Sequence, residues 1–116
     1  MPKNRQYDLE DRTFKFTKRV IDFVNKVPRN IANIEVGKQL VRAAGSVGAN
    51  YIEANESLGK KDFALKIKTS RKESKEARYW LGLSEPLKEQ QVEQSLLIKE
   101  STELMNIFGA ILKKVV

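Results

Sequence analysis

Lys61, Lys68, Lys72 and Lys75 recur at intervals of seven, four and three residues in a stretch that also holds Arg71, Arg78 and Tyr79. At 100° per residue, these spacings gather the four lysines and Tyr79 into one narrow sector of a helix, opposite its apolar seam. Arg71 and Arg78 fall on one shoulder of that sector. A line of cations positions a phosphodiester backbone, and an aromatic ring within it can stack on an unpaired base, so the chemistry indicated is nucleic-acid binding. The same pattern is also that of an ordinary solvated helix face, with Tyr79 covered by a neighbouring subunit.

Other chemistries are narrowed by what the chain lacks. It contains no histidine and no cysteine, which removes Ser-His and Cys-His nucleophile pairs, thiolate zinc sites and histidine-dependent ribonuclease chemistry. Glu53 and Glu56 stand three residues apart on one helical segment, a spacing used by carboxylate di-metal sites. Those sites also need Glu-x-x-His partners on other helices, so the two glutamates are read as partners for Lys or Arg across the following turn or on another subunit. Gly59-Lys60-Lys61 lacks the earlier glycine and the hydroxyl of a phosphate-binding loop. The expectation is a non-enzymatic protein with no cofactor and no metal.

The cations must be carried by regular elements. In 116 residues, 41% are hydrophobic and 32% charged, with only six glycines and three prolines, a balance that predicts one all-α domain. Apolar residues at 3-4 spacing predict four helices, about 9–27, 33–58, 60–83 and 92–115. The first buries Leu9, Thr13, Phe16, Val20, Phe23 and Val27 and stops at Pro28. The second buries Leu40, Ala44, Val47, Tyr51, Ala54 and Leu58, with Gly59 ending it in a left-handed conformation. The third runs Phe63, Ile67, Ser70, Ser74, Ala77 and Leu81, its small middle suited to a close crossing against residues 43–49 of the second. The last runs Leu97, Ser101, Leu104, Phe108, Ile111 and Val115. Short connections favour an antiparallel up-down-up-down four-helix bundle.

Charge is unevenly spread along these helices. Twenty-two Lys and Arg against fifteen acids give a net charge of +7, and eight of those cations face only three acids between residues 59 and 78. Such a local field speeds encounter with polyanions, making RNA or DNA the first partner to consider. On the first helix Arg12, Lys15, Lys18, Arg19 and Lys26 alternate with Asp8, Glu10, Asp11 and Asp22, which predicts local pairing and a first turn acidic enough to complement the helix dipole. Phe14, Ile21, Val24, Trp80, Ile98, Met105, Ile107 and Leu112 lie beside the core stripes. That surplus predicts self-association, with Trp80, Ile98 and Met105 as interface candidates, the competing reading being a wide core stripe; a protein partner around Trp80 is the alternative to nucleic acid. The polar start Met1–Asp8, the absence of cysteine and the lack of a ~20-residue apolar run predict a cytoplasmic protein with no membrane partner.

The run Gln39-Leu-Val-Arg-Ala-Ala-Gly-Ser-Val-Gly-Ala-Asn-Tyr-Ile-Glu-Ala54, the helix start Lys60-Lys-Asp-Phe63 and the run Lys75-Glu-Ala-Arg-Tyr-Trp-Leu81 resemble the 23S rRNA intervening-sequence proteins. The resemblance covers nearly the whole chain and departs at Gly48, where many members have proline. It implies a bacterial, cytoplasmic four-helix bundle assembling as a ring-shaped homopentamer, and it implies no established activity.

Overall fold

The computed structural model describes residues 5–116, with side chains from Asp8 onward. The start of the Met1–Asp8 segment therefore lies outside the described residues. Four helices, α1 (Arg5–Lys26), α2 (Ile31–Asn55), α3 (Lys60–Leu83) and α4 (Gln91–Val115), account for most of the rest, with one 3-10 turn, Lys88–Gln90, leading into α4. No strand occurs among the described residues. Helices of 24 or 25 residues are about 37 Å long, in keeping with a molecule of 45 × 31 × 19 Å.

One apolar cluster fills the interior. Phe16, Val20 and Phe23 of α1, Leu40, Val47 and Tyr51 of α2, Ile67 and Leu81 of α3, and Leu97, Leu104 and Phe108 of α4 are all buried in it. The aromatic rings of Tyr51 and Phe108 meet at 5.7 Å between centroids. α3 packs broadly on both α2 and α4, whereas α1 touches α4 much less.

Small residues set the α2/α3 approach. Ala43, Ala44, Val47, Ser70, Ser74 and Ala77 are fully buried, and Ser70 Oγ donates across the helices to the Val47 carbonyl at 2.9 Å. Ser74 Oγ instead donates back to the Ser70 carbonyl within α3. α2 and α1 also come close at Gly48, where a Cβ would stand 3.0 Å from Thr13 Oγ1.

At one end of the molecule Asn33 ties two loops together. Its Nδ2 donates to the carbonyls of Pro28 and Glu85, and its Oδ1 accepts from the Glu85 backbone N–H. Buried polar atoms that find partners in this way cost little and fix a unique loop geometry. Asn30 caps α2 by accepting from the Asn33 N–H at 2.8 Å, the ordinary way to satisfy a free N-terminal amide.

The α2/α3 connection differs from the sequence expectation. α2 ends at Asn55, so Leu58 lies beyond it and is fully exposed. Gly59 is extended, with φ −136° and ψ 160°, and serves as the N-cap of α3. No described residue has a positive φ. The apolar periodicity of α2 continues one position past the point at which the chain leaves the helix. The acids of α1 also take other roles. With α1 beginning at Arg5, only Asp8 lies in its first turn, while Glu10 Oε2 accepts from Asn55 Nδ2 and Asp11 pairs with Lys15.

Candidate nucleic-acid interface

The outer face of α3 exists because its inner face is so consistent. Ile67, Ser70, Ser74, Ala77 and Leu81 are buried, and the residues half a turn away necessarily point to solvent. Lys61, Lys68, Arg71, Lys72, Lys75 and Tyr79 are exposed, and Arg78 is half-buried.

Pairing separates these cations from Arg12, Lys15 and Arg19 of α1. On α1, Arg12 donates to Glu100 Oε2 and Oε1 at 2.7 and 2.8 Å and to Glu103 at 2.9 Å. Arg19 makes a two-pronged contact with Glu93 at 3.1 Å, and Lys15 meets Asp11 at 2.8 Å. The expectation of local pairing on α1 thus holds for Lys15, while Arg12 and Arg19 reach across to α4 and Lys18 and Lys26 have no carboxylate within 4.0 Å among the described residues. Hydrogen bonding to these carboxylates raises Arg12, Arg19 and Lys15 above their ordinary pKa values. On the flank of α3 that faces α2, Lys66 binds Glu53 at 2.9 Å and Glu76 lies 3.7 Å from Arg42. The Glu53 contact raises Lys66 in the same way.

On the outer stripe, by contrast, Lys61, Lys68, Arg71 and Lys75 have no carboxylate within 4.0 Å among the described residues. Lys72 has a contact of 3.9 Å to Glu73, and Arg78 a long hydrogen bond to Thr102. Five of the cations, Lys68, Arg71, Lys72, Lys75 and Arg78, line one groove of about 550 Å³ between α3 and α4, together with Leu65, Thr69 and Met105. Lys61 stands in an adjoining cleft with Leu65, Lys68 and Leu112. Tyr79 lies outside the groove, exposed, with its ring edge-on to Trp80 at 5.1 Å.

The interface candidates Trp80, Ile98 and Met105 do not form one exposed apolar patch. Trp80 and Ile98 are half-buried against the core, and Met105 belongs to the cationic groove. The large apolar side chains left exposed include Phe14 and Ile21 on α1 and Ile34 and Ile52 on α2. An apolar groove of about 540 Å³ between the same two helices is lined by Val24, Val27, Ile34 and Val41, among others.

Two features of the site were not read from the sequence. Leu65 is exposed amid the lysines, and this lone apolar residue on a charged face was the available signal. Glu73 is buried with Oε1 lacking a hydrogen-bond partner, as does Trp80 Nε1 seven residues on; a charge next to a serine of the seam gave no such signal. Glu53 and Glu56 are both exposed, and Glu53 is engaged by Lys66. No group of three His, Cys, Asp or Glu side chains among the described residues is arranged to hold a metal ion. No described helix is long and apolar enough to cross a membrane.

Comparison with known proteins places this architecture. No curated protein matches the chain. A crystal structure of a protein with unknown function from the S23 ribosomal protein family, from Bacteroides thetaiotaomicron, has the same fold, with a TM-score of 0.77 and 25% identity over 95% of this chain and 99% of that one. The family model for the 23S rRNA-intervening sequence protein matches residues 5–110. Because that match takes in all of α1, α2 and α3 and most of α4, the chain belongs to the 23S rRNA-intervening sequence protein family.

Proposed function

We propose that this chain is a non-enzymatic, self-associating adaptor that binds nucleic acid, RNA in the first instance, along the outer face of α3. One observation carries the reading: Arg12, Lys15 and Arg19 of α1 are neutralised by carboxylates of α1 and α4, whereas Lys61, Lys68, Arg71 and Lys75 have no acidic partner among the described residues and stand together on one face and its shoulder. Unpaired cations in a row release counterions from a polyanion when it binds, and the affinity then falls steeply with salt. Around this site the chain is a single domain in up-down-up-down order. Copies of it form a closed ring, taken as a homopentamer by resemblance to the family, which repeats the stripe and raises avidity without new contacts. The exposed Phe14, Ile21, Ile34 and Ile52 and the apolar groove beside them support self-association.

The deciding measurement is fluorescence anisotropy of a labelled RNA at low ionic strength. Binding that weakens steeply with salt, and is lost when Lys68, Lys72 and Lys75 become Glu, is the expected result. No binding at low salt, or binding indifferent to those changes, ends the reading. The same exposed apolar residues also favour a second reading, a protein-interaction scaffold, which predicts a protein partner retained from native lysate after nuclease treatment.

A further inference from the structure

We propose that the α3/α4 groove takes single-stranded rather than duplex nucleic acid, with phosphates on its cationic rim and unpaired bases against an aliphatic floor. This inference rests on the polyanion-binding reading above and adds the strandedness of the ligand.

The groove of Lys68, Arg71, Lys72, Lys75 and Arg78 is not isolated. It shares Arg71 and Met105 with a second cleft of about 420 Å³ on α4, lined also by Gly109, Leu112 and Val116. It shares Leu65 and Lys68 with a third, of about 780 Å³, which again includes Leu112 and Val116. The three clefts therefore form one continuous trough. Its apolar lining is the half-buried Met105 and Leu112, with the exposed Leu65 and Val116 beside them, and its rim is cationic except at Asp62.

Duplex and single strand present the same phosphates, so a bare cationic stripe would serve both. They differ in whether base faces are accessible. Neighbouring packed helices are about 8–10 Å apart at their axes, and a duplex, two backbones wide, cannot descend to a floor between them. A single strand can lay its backbone along the rim and turn its bases inward, where aliphatic contact shields their faces from water. Arg71 contributes a second surface. It reaches across the trough, and a Cβ on Gly109 would lie 3.6 Å from its Nε. An unpaired guanidinium held this way offers a flat face on which a base stacks. From Lys61 to Arg78 the rim is about 25 Å long at 1.5 Å per residue, room for several nucleotides.

The test compares a fluorescein-labelled, non-self-complementary 12-mer RNA with the same strand annealed to its complement, at one salt concentration, on the full chain. Single-strand binding should be about tenfold tighter or more, the equivalent of stacking one base. Leu65→Ser alters an exposed residue of the apolar lining and so leaves the fold intact. Alone and with Met105→Ser it should weaken single-strand binding several-fold and leave duplex binding unchanged. Equal affinity for the two forms, both lost in the Lys68/Lys72/Lys75→Glu variant, overturns the strandedness proposal and leaves polyanion binding standing. Absence of binding to either form removes both. Displacement of the RNA by an acidic amphipathic helical peptide that binds more tightly would assign the trough to a protein partner and overturn the proposal.

Discussion

Ser70 Oγ donates to the Val47 carbonyl at 2.9 Å in the fully buried crossing of α3 on α2. A hydroxyl can reach a neighbouring helix backbone only where the residues between are small, and Ala43, Ala44 and Ala77 provide that closeness. The Val47 carbonyl keeps its own helical bond through its other lone pair, so Ser70→Ala strands no acceptor and should cost about 1 kcal/mol in urea unfolding. Ser70→Val, although more hydrophobic, adds volume where there is none and should cost about 1–3 kcal/mol more. A valine variant as stable as the alanine variant would mean that the helices can separate freely here.

Gly45 and Gly48, three residues apart on α2, should respond oppositely to alanine. A Cβ at Gly45 meets nothing within 4 Å, whereas at Gly48 it would lie 3.0 Å from Thr13 Oγ1 and 3.3 Å from Thr13 Cβ. Thr13 cannot easily yield, because it is buried and its hydroxyl donates to the Leu9 carbonyl at 2.9 Å. Gly45→Ala should therefore stabilise by about 0.5–1 kcal/mol through helix propensity. Gly48→Ala sets the same gain against overpacking and should destabilise by about 1 kcal/mol. Combining it with Thr13→Ala should restore stability, and thermal unfolding of the four proteins decides the matter.

The stripes Leu9 to Val27 and Phe63 to Leu81 could be read from spacing because burial of one helix face is a property of the helix itself. The α2 terminus was less legible. Leu58 continues the apolar period, but helix ends depend on which amides and carbonyls find partners, and the chain turns after Asn55 to make Gly59 the cap of α3. The rim of the trough follows from 100° per residue along α3 alone. Its floor does not, because Met105 and Leu112 reach it only through the rotation of α4 against α3. Pairing of Arg12 with Glu100 has the same origin: 88 residues separate them, and no local pattern encodes the contact.

Glu73 is buried, with one carboxylate oxygen unpartnered and the other 3.9 Å from Lys72 Nζ. A buried carboxylate oxygen without a partner opposes folding. Glu73→Gln keeps the shape, and its amide group can donate where the carboxylate cannot. The variant should be as stable as the parent or about 1 kcal/mol more stable, and Glu73→Met should behave similarly if the site is simply apolar. A loss above about 2 kcal/mol in both would show that the carboxylate has a partner in the assembled protein, a possibility that unfolding measured across protein concentrations resolves.

Arg12 joins α1 to α4 where packing between those helices is sparse, through hydrogen bonds of 2.7 and 2.8 Å to Glu100. The pair is partly screened, since the Arg12 and Glu100 side chains are 36% and 17% exposed. A double-mutant cycle with Arg12→Ala and Glu100→Ala should give a coupling of about 1 kcal/mol, above that of most surface pairs and below that of a dry one. Added salt should reduce it only in part. Its pH dependence has a definite sign. Hydrogen bonding to Glu100 raises Arg12 above its ordinary value even against the opposing effect of burial. A group raised on folding contributes fully below its unfolded-state pKa and loses that contribution only as pH climbs through the folded one. For this guanidinium both lie well above the pH range of the measurement. The cost of Arg12→Ala should consequently be the same at pH 7 and pH 10. A cost that fell by half or more over that interval would mean that Arg12 stabilises α1 by something other than this ion pair.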